Sequence, residues 1–92
     1  MALNFEWDPR KAAANLRKHR IGLPEATTAF GAPLSITIPD PDHSGDEDRR
    51  LLLGQTETGR LLVVAHTERG ANIRIISARL AAPSERRAYE EG

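Results

Sequence analysis

The alternation of apolar and polar residues predicts five strands. The alternating or β-branched stretches are residues 3–7, 34–38, 50–56, 61–67 and 73–80. The last two stretches have the highest aliphatic content in the chain, and the residues between them include Gly70 and Asn72, which tolerate a positive φ. We therefore expect these two stretches to form a hairpin in the middle of a sheet.

The first predicted helix begins after Asp8, which can cap free amide groups, with Pro9 at its first position, and it ends before Gly22. One face carries Ala12, Leu16 and His19. An adjacent stripe, spaced at i, i+4 and i+7, carries Lys11, Asn15 and Lys18. The first of these faces is the one expected to pack on the sheet.

Two shorter helices are also predicted. Pro24 opens a helix over residues 25–30, after the first helix. A last helix covers residues 85–91, with Ser84 as its expected cap and Tyr89 as its expected docking residue.

The order of these elements predicts the fold class. Four consecutive strands joined by short turns favour an antiparallel meander, with the two N-terminal helices on one face and a C-terminal helix at the end. Ninety-two residues suffice for one modest core and not for two. We expect an α+β fold and a single domain over residues 1–92.

Composition and charge limit the classes of function. The chain has no cysteine, which excludes a disulfide framework and a thiolate metal site. No apolar run approaches the roughly 20 residues of a membrane span and no signal-peptide pattern is present, so we expect a cytoplasmic protein. The net charge is zero, but residues 25–48 carry −6 and the two flanking segments carry +3 each. This distribution is compatible with a local phosphate ligand and with ordinary solvated charge.

The acidic segment over residues 39–49 is predicted to be a loop. Its Asp40, Asp42, Ser44 and Gly45 match the start of a calcium loop, but the twelfth position, where a bidentate glutamate is required, is Leu51. We expect a flexible acidic turn and no metal site.

The hairpin contains three arginines within eleven residues, Arg69, Arg74 and Arg79. Arginine is costly to bury, so these side chains indicate a sheet that presents cations to an anion. Such arginines can hold a phosphodiester and stabilise the charge of its transition state. A neighbouring histidine or glutamate can deprotonate a ribose 2′-hydroxyl, the first step of metal-free RNA cleavage.

The register of the hairpin decides which of these side chains meet. In a regular register with Glu68 opposite Ile73, His66 and Arg79 share the more polar face, and Arg74 lies on a core-like face. Arg79 and Arg69, at the turn, are then the better phosphate ligands, and Arg74 is structural. A bulge in the turn would instead place Glu68 beside Arg74 as an ion pair, and the sequence leaves both registers open.

Each candidate also has a purely structural interpretation. Arg74 can pair with Glu68 across the hairpin, and Arg79 can cap the strand end against the last helix. His66 and His19 can be satisfied core histidines, and the lysines of the first helix can form a solvated face.

The chain resembles the BrnT family of toxins over nearly its whole length, from Phe5 to Gly92. The segments that carry the resemblance are FEWDPRKAAANLRKHRIGLPEATTAFGAPL, PDPDHSGDEDR, GRLLVVAHTERG and IRIISARLAAPSERRAYEEG, with the patterns WDPxKAxxNxxKH and TERGxxIRIISAR. The resemblance implies a ribonuclease toxin of a type II toxin–antitoxin pair, with a RelE-like fold, that cleaves RNA without a metal or cofactor and arrests translation. It also implies a BrnA-like antitoxin with a ribbon-helix-helix domain, which masks the toxin and represses the shared promoter.

The resemblance points to site residues by their position in these motifs. They are Lys18 and His19 in the first pattern, Thr67, Glu68 and Arg69 at the turn, Arg74 and Arg79 in the last strand, and also Trp7 and Lys11.

Two hypotheses follow. In the first, the chain is an endoribonuclease that acts through a 2′,3′-cyclic phosphate, with Arg69, Arg74 and Arg79 on the phosphate. His19, His66 or Glu68 supplies acid–base catalysis, and Trp7, Lys11, Lys18 and Thr67 bind substrate. In the second, the chain is a non-catalytic module that binds a partner in a DNA-bound regulatory complex. Zero net charge favours the second hypothesis, whereas the clustered arginines and the resemblance favour the first, which we adopt.

Overall fold

The computed structural model describes residues 3–41 and 48–91. The strands are β1 (Asn4–Glu6), β2 (Ile36–Pro39), β3 (Arg49–Gln55), β4 (Leu61–Arg69) and β5 (Asn72–Leu80). The helices are α1 (Pro9–His19), α2 (Leu23–Thr28) and α3 (Pro83–Glu91), and a 3₁₀ turn, Ala29–Gly31, follows α2. All five predicted strands are present within two residues of their expected ends. Asp42, Ser44 and Gly45 of the calcium-like pattern lie outside the described residues.

The strands form one five-stranded sheet in the order β1-β5-β4-β3-β2. Strands β2 to β5 pair antiparallel in chain order, whereas β1 pairs parallel with β5. The sheet is therefore mixed: the four consecutive strands β2 to β5 form an antiparallel meander, whereas the expectation of an antiparallel sheet does not hold at the β1 edge. Alternation predicted a strand over residues 3–7 but carries no information about which edge of the sheet that strand joins. By joining β5, β1 covers backbone groups that would otherwise form an open edge.

A bulge in β5 sets the register of the central hairpin. Glu68 lies opposite Ile73 and His66 opposite Ile75, as in the regular register. Beyond this point the register shifts by one residue, so that Arg79 lies opposite Val63 instead of Leu62. The extra residue of the bulged strand, β5, is Ile76. The bulge lies within β5 and not in the turn, which neither predicted register anticipated.

The bulge places Arg74 and Arg79 on the same face of the sheet. The two arginines are five residues apart, which in a regular strand would put them on opposite faces. Because the bulged residue Ile76 has no partner on β4, the alternation of faces shifts by one between them. The prediction that they point to opposite faces is therefore wrong. The assignment of the two faces is also reversed. The core face carries His66, and the opposite face carries Thr67 together with these two arginines.

The core lies between this first face and the chain from α1 to the 3₁₀ turn. Its buried residues are Ile21, Leu23, Ala26, Ala29, Leu52, Leu62, Val64, Ile75 and Ala78, with Phe5, Trp7, Ala12 and Phe30 packed against them. Gly54 permits a close approach at this interface. A Cβ on Gly54 would lie 2.8 Å from the carbonyl oxygen of Ala29, so a larger residue requires a backbone shift.

The helix α1 packs on the edge of β5 through Asn15. The Asn15 amide donates to the carbonyl of Ala78 at 2.9 Å, accepts from its N–H at 3.0 Å and donates to the carbonyl of Ile21 at 3.0 Å. It thus replaces a neighbouring strand where β1 has ended. The prediction that Leu16 belongs to the packed face is wrong, since Leu16 is 53% exposed and Asn15 is buried. Three satisfied hydrogen bonds make burial of the polar residue favourable.

The caps of the helices follow different rules. The Asp8 carboxylate accepts from the N–H of Arg10 at 2.8 Å, which confirms the predicted cap of α1. The helix α3 starts at Pro83, one residue before Ser84, so the prediction that Ser84 caps it is wrong. Instead, Glu85 accepts from the N–H of Ala82 at 2.7 Å, which is one half of a capping box.

A polar clasp joins α2 to the turn between β3 and β4. The Glu25 carboxylate accepts from the Arg60 guanidinium, from the Thr58 hydroxyl at 2.7 Å and from the Thr56 hydroxyl at 3.1 Å. These hydrogen bonds lower the pKa of Glu25 from its ordinary 4.5 to about 2, and the bond from Arg60 has the largest effect. Glu25 is therefore ionised at neutral pH and holds the two segments together.

No helix in the described part of the chain is long and apolar enough to cross a membrane.

Candidate functional site

A cationic cleft of about 190 Å³ lies on the sheet face opposite the core. Its lining consists of Lys11, Arg49, Thr67, Arg69, Arg74 and Ile76. We call this group the cationic cleft. Four of its six residues are cations, and they come from α1 and three different strands. Since like charges brought together repel, such a cluster on a folded surface favours an anionic ligand.

The strand registers explain why these residues meet. Arg49 lies opposite Thr67, Thr67 opposite Arg74, and Arg74 opposite Glu6, so one row crosses four strands. Neighbouring strands lie about 4.8 Å apart, which puts the backbones of Arg49 and Arg74 roughly 10 Å apart across Thr67. The spacing lets two guanidinium groups approach one anion from opposite sides.

Glu6 holds the arginines at one end of this row. Its carboxylate accepts from Nη1 of Arg74 at 2.8 Å and from the amide of Asn72 at 3.0 Å, and it lies 3.9 Å from Nη1 of Arg69. The hydrogen bond from Asn72, followed by the one from Arg74, lowers the pKa of Glu6. The structural alternative for Arg74 was an ion pair with Glu68, and the structure shows Glu6 in that place.

Arg49 forms the other end of the row and was not predicted as a site residue. Its Nε is buried and has no hydrogen-bond partner within residues 3–41 and 48–91. The Thr67 hydroxyl beside it donates to the carbonyl of Asp48 at 3.3 Å. A buried donor without an acceptor is costly, which favours an anion here. The predicted third strand began at Arg50, whereas β3 begins at Arg49. A predicted strand that was longer by this one residue would have included Arg49, which lies opposite Thr67.

A second cleft, of about 280 Å³, continues from the first. It is lined by Lys11, Ala14, Asn15, Lys18, His19, Ile76 and Ser77. Lys11 and Ile76 line both clefts, so the two form one groove along α1 and β5. The predicted polar stripe of the first helix faces this groove, and the groove brings His19 and Lys18 into one surface with the arginines.

Arg79 is engaged elsewhere. Its Nη1 and Nη2 donate to the two carboxylate oxygens of Glu85 at 2.8 and 2.9 Å, which raises the pKa of Arg79 and lowers that of Glu85. Arg79 thus joins the end of β5 to α3, as its structural alternative proposed. It does not line the cationic cleft. The register that ranked Arg79 above Arg74 as a phosphate ligand is wrong.

His66 and Glu68 lie on the face opposite the cationic cleft. His66 is buried, its Nδ1 is 3.1 Å from the carbonyl of Val64, and its ring meets that of Phe30 edge-on at 4.9 Å. Burial is the main cause that lowers the pKa of His66. Trp7 packs against the core as well. These predicted site residues are therefore not brought together with the arginines.

Comparison with known proteins connects this geometry to a family. The fold matches the crystal structure of the Brucella abortus ribonuclease toxin BrnT with a TM-score of 0.69 and 19% identity, over 88% of this chain and 99% of that chain. At this identity the match establishes the fold. No match is found among curated proteins. Residues 7–85 match the model of the family described as "Ribonuclease toxin, BrnT, of type II toxin-antitoxin system".

The chain belongs to the BrnT family. The matched region contains all six residues of the cationic cleft, as well as Lys18 and His19. BrnT is a family of ribonuclease toxins in type II toxin–antitoxin systems, so membership implies an antitoxin partner. The resemblance found in the sequence is confirmed.

Proposed function

We propose that this chain is a single-domain, RelE-like endoribonuclease toxin of the cytoplasm, which cleaves RNA at the cationic cleft without a metal and so arrests translation. The observation that carries the proposal is the row of Arg49, Thr67 and Arg74 across three strands, beside Lys11 and Arg69. A phosphodiester carries one negative charge and gains further charge on its oxygens in the transition state. Fixed guanidinium groups stabilise that added charge.

The chemistry is a transesterification. The ribose 2′-oxygen attacks phosphorus and its proton passes to a base. The bond from phosphorus to the 5′-oxygen breaks, and that oxygen takes up a proton. The products are a 2′,3′-cyclic phosphate and a 5′-hydroxyl.

In this proposal Arg49, Arg69 and Arg74 bind the phosphate under attack. Lys11 lies where the two clefts meet, and Lys18 follows it by two turns of α1, roughly 10 Å along the helix, so that both contact flanking phosphates. His19 serves in proton transfer, because among His19, His66 and Glu68 it is the one that lines the groove.

Three predicted residues receive other roles. Arg79 is held by Glu85, and His66 is enclosed in the core, so neither touches the phosphate in this mechanism. Glu68 lies beside His66 on the opposite face and contributes to its electrostatic environment.

The family relationship supports an antitoxin partner, and we propose that it is a BrnA-like ribbon-helix-helix protein that brings the complex to promoter DNA. Because the cationic cleft is the anion site, the antitoxin should place acidic or bulky groups over it. RNA cleavage should then be lost in the saturated complex. Full activity in that complex would contradict this part of the proposal.

A second candidate function is that of a partner-binding module without catalysis. An apolar cleft of about 210 Å³ lies between α3 and the sheet, lined in part by Ile36, Ile38, Leu51 and Leu53. Ile36 and Ile38 are 39% and 50% exposed, and exposed apolar side chains that line a cleft are typical of a surface that binds a partner. The cleavage experiment below separates the two candidates.

The test mixes purified protein with a defined RNA in excess chelator. We expect cleavage with a 2′,3′-cyclic phosphate at the new end, and a loss of about 10- to 100-fold in rate for Arg74→Ala, since one fixed donor to the transition state is removed. Arg87→Ala is the matched control, because Arg87 is exposed on α3, away from the cleft. Melting curves verify that each variant is folded. Absence of cleavage by the parent protein would favour the partner-binding module.

A further inference from the structure

We infer that Glu6 is a positioning residue, which fixes Arg74 and Arg69 in the orientation that the phosphate requires. The inference rests on the proposed function, and it assigns a role to a residue that no motif singled out. Glu6 lies one residue before the region matched by the family model.

The placement of Glu6 follows from the parallel pairing of β1. Strand β1 has three residues, and alternation sends Phe5 into the core and Glu6 to the opposite face. In the register with β5, Glu6 lies opposite Arg74. This short strand therefore delivers one carboxylate to the end of the cationic row.

The Glu6 carboxylate occupies only one of the hydrogen-bond donors of Arg74. A guanidinium has five N–H donors, and Glu6 takes one of them, on Nη1 of Arg74. Within the described residues Glu6 is the one hydrogen-bond acceptor of Arg74, so the other edges of this guanidinium are open to a phosphate. Arg79 contrasts with it, because both of its terminal nitrogens are bound by Glu85.

Glu6 also counteracts repulsion between the two arginines. Arg69 is 58% exposed and its closest charged partner is Glu6, at 3.9 Å. Without a carboxylate between them, two guanidinium groups separate into solvent, where the long side chains regain rotamer freedom. A fixed pair of cations costs no reorganisation when charge develops on the phosphate.

Glu6 is suited to this role and not to proton transfer. Asn72 and Arg74 both donate to its carboxylate, which stabilises the ionised form, and such an anion is a weak base at neutral pH. Removal of Glu6 should therefore affect the rate of the chemical step while leaving the attraction for RNA intact.

The test compares Glu6→Gln with Glu90→Gln, which removes the same charge from an exposed position on α3. Two quantities are measured at one salt concentration: the single-turnover cleavage rate at saturating protein, and the affinity for a DNA oligonucleotide of the same sequence, which lacks the 2′-hydroxyl and is not cleaved. For Glu6→Gln we expect a rate at least tenfold lower and an affinity equal to or higher than that of the parent. Glu90→Gln should match the parent in both.

A double-mutant comparison shows whether Glu6 acts through Arg74. In an Arg74→Ala background, Glu6→Gln should lower the cleavage rate by a smaller factor than it does in the parent, because only Arg69 is left for Glu6 to position.

Three results would overturn the inference. One is a Glu6→Gln rate within twofold of the parent. Another is a parallel loss of rate and oligonucleotide affinity, which would indicate a structural role. The third is an equal effect of Glu6→Gln with and without Arg74. A parent protein that does not cleave RNA would overturn the proposed function itself, and this inference with it.

Discussion

At the scale of single residues, two polar side chains have opposite roles that their types alone do not reveal. Asn15 is buried in three hydrogen bonds and replaces a strand, whereas Arg49 has a buried Nε with no partner in the part of the chain that the structure describes. The first arrangement is complete and therefore stabilises the fold. The second is incomplete and therefore indicates a ligand.

Asn15→Ala should lower the free energy of unfolding by about 2–3 kcal/mol, since it leaves the N–H and C=O of Ala78 without a partner. Leu16→Ala, one residue further along α1, should cost less than about 0.5 kcal/mol because Leu16 is exposed. Urea denaturation of the two variants measures both. A larger loss for the leucine would contradict the role given to Asn15.

Arg49→Ala should weaken binding to single-stranded nucleic acid and lower the slope of log affinity against log salt by about 0.7, the value for one phosphate contact. Arg50→Ala provides a neighbour of equal charge that lies on the other side of β3 and pairs with the exposed Asp48. Its slope should remain that of the parent. Equal slopes for both variants would show that Arg49 makes no phosphate contact that Arg50 does not also make.

At the scale of elements, the sequence predicted which segments form strands and helices but not how two of them meet. Alternation identified all five strands, and Asp8 identified the start of α1, because these signals are local. The β5 bulge and the parallel pairing of β1 depend on contacts between distant segments. For this reason the regular register placed Arg74 and Arg79 on different faces and left Glu6 and Arg49 out of the site.

The contact between β3 and the 3₁₀ turn should be sensitive to a single methyl group. Gly54→Ala places a Cβ within 2.8 Å of the Ala29 carbonyl oxygen and should destabilise the fold by about 1–3 kcal/mol. Gly31→Ala adds the same group where nothing lies within 4 Å. Thermal unfolding should therefore show a lower midpoint for the first variant alone, and equal midpoints would show that the interface adjusts freely.

The clasp between α2 and the β3–β4 turn should give stability a dependence on acid pH. Because the pKa of Glu25 is about 2 in the folded chain and 4.5 ordinarily, its contribution is complete above pH 4.5 and is lost as pH falls toward 2. Glu6 and Glu85 act in the same direction, since their pKa values are also lowered.

Glu25→Gln should accordingly lower stability at pH 7 and flatten the decline between about pH 4.5 and pH 2. Urea denaturation over this pH range, beside Glu57→Gln as an exposed control, measures the difference. A decline as steep in Glu25→Gln as in the parent would assign the acid sensitivity to other carboxylates.

At the scale of the whole molecule, the two faces of the sheet have separate tasks. One face carries the core and encloses His66. The other presents the cationic cleft at one end, and at the other end α3 and the Arg79–Glu85 pair. A chain of zero net charge therefore concentrates cations where an RNA phosphate is proposed to bind, with Glu6 at one end of the row and most of the other acids elsewhere.

The most direct test of this account compares Arg74→Ala and Arg79→Ala in one RNA cleavage assay, with melting temperatures to verify folding. We expect Arg74→Ala to lower the cleavage rate by at least tenfold more than Arg79→Ala does. This is because Arg74 faces the cleft with open donors and Arg79 is bound by Glu85. Equal losses, or a greater loss for Arg79→Ala in a folded protein, would contradict it.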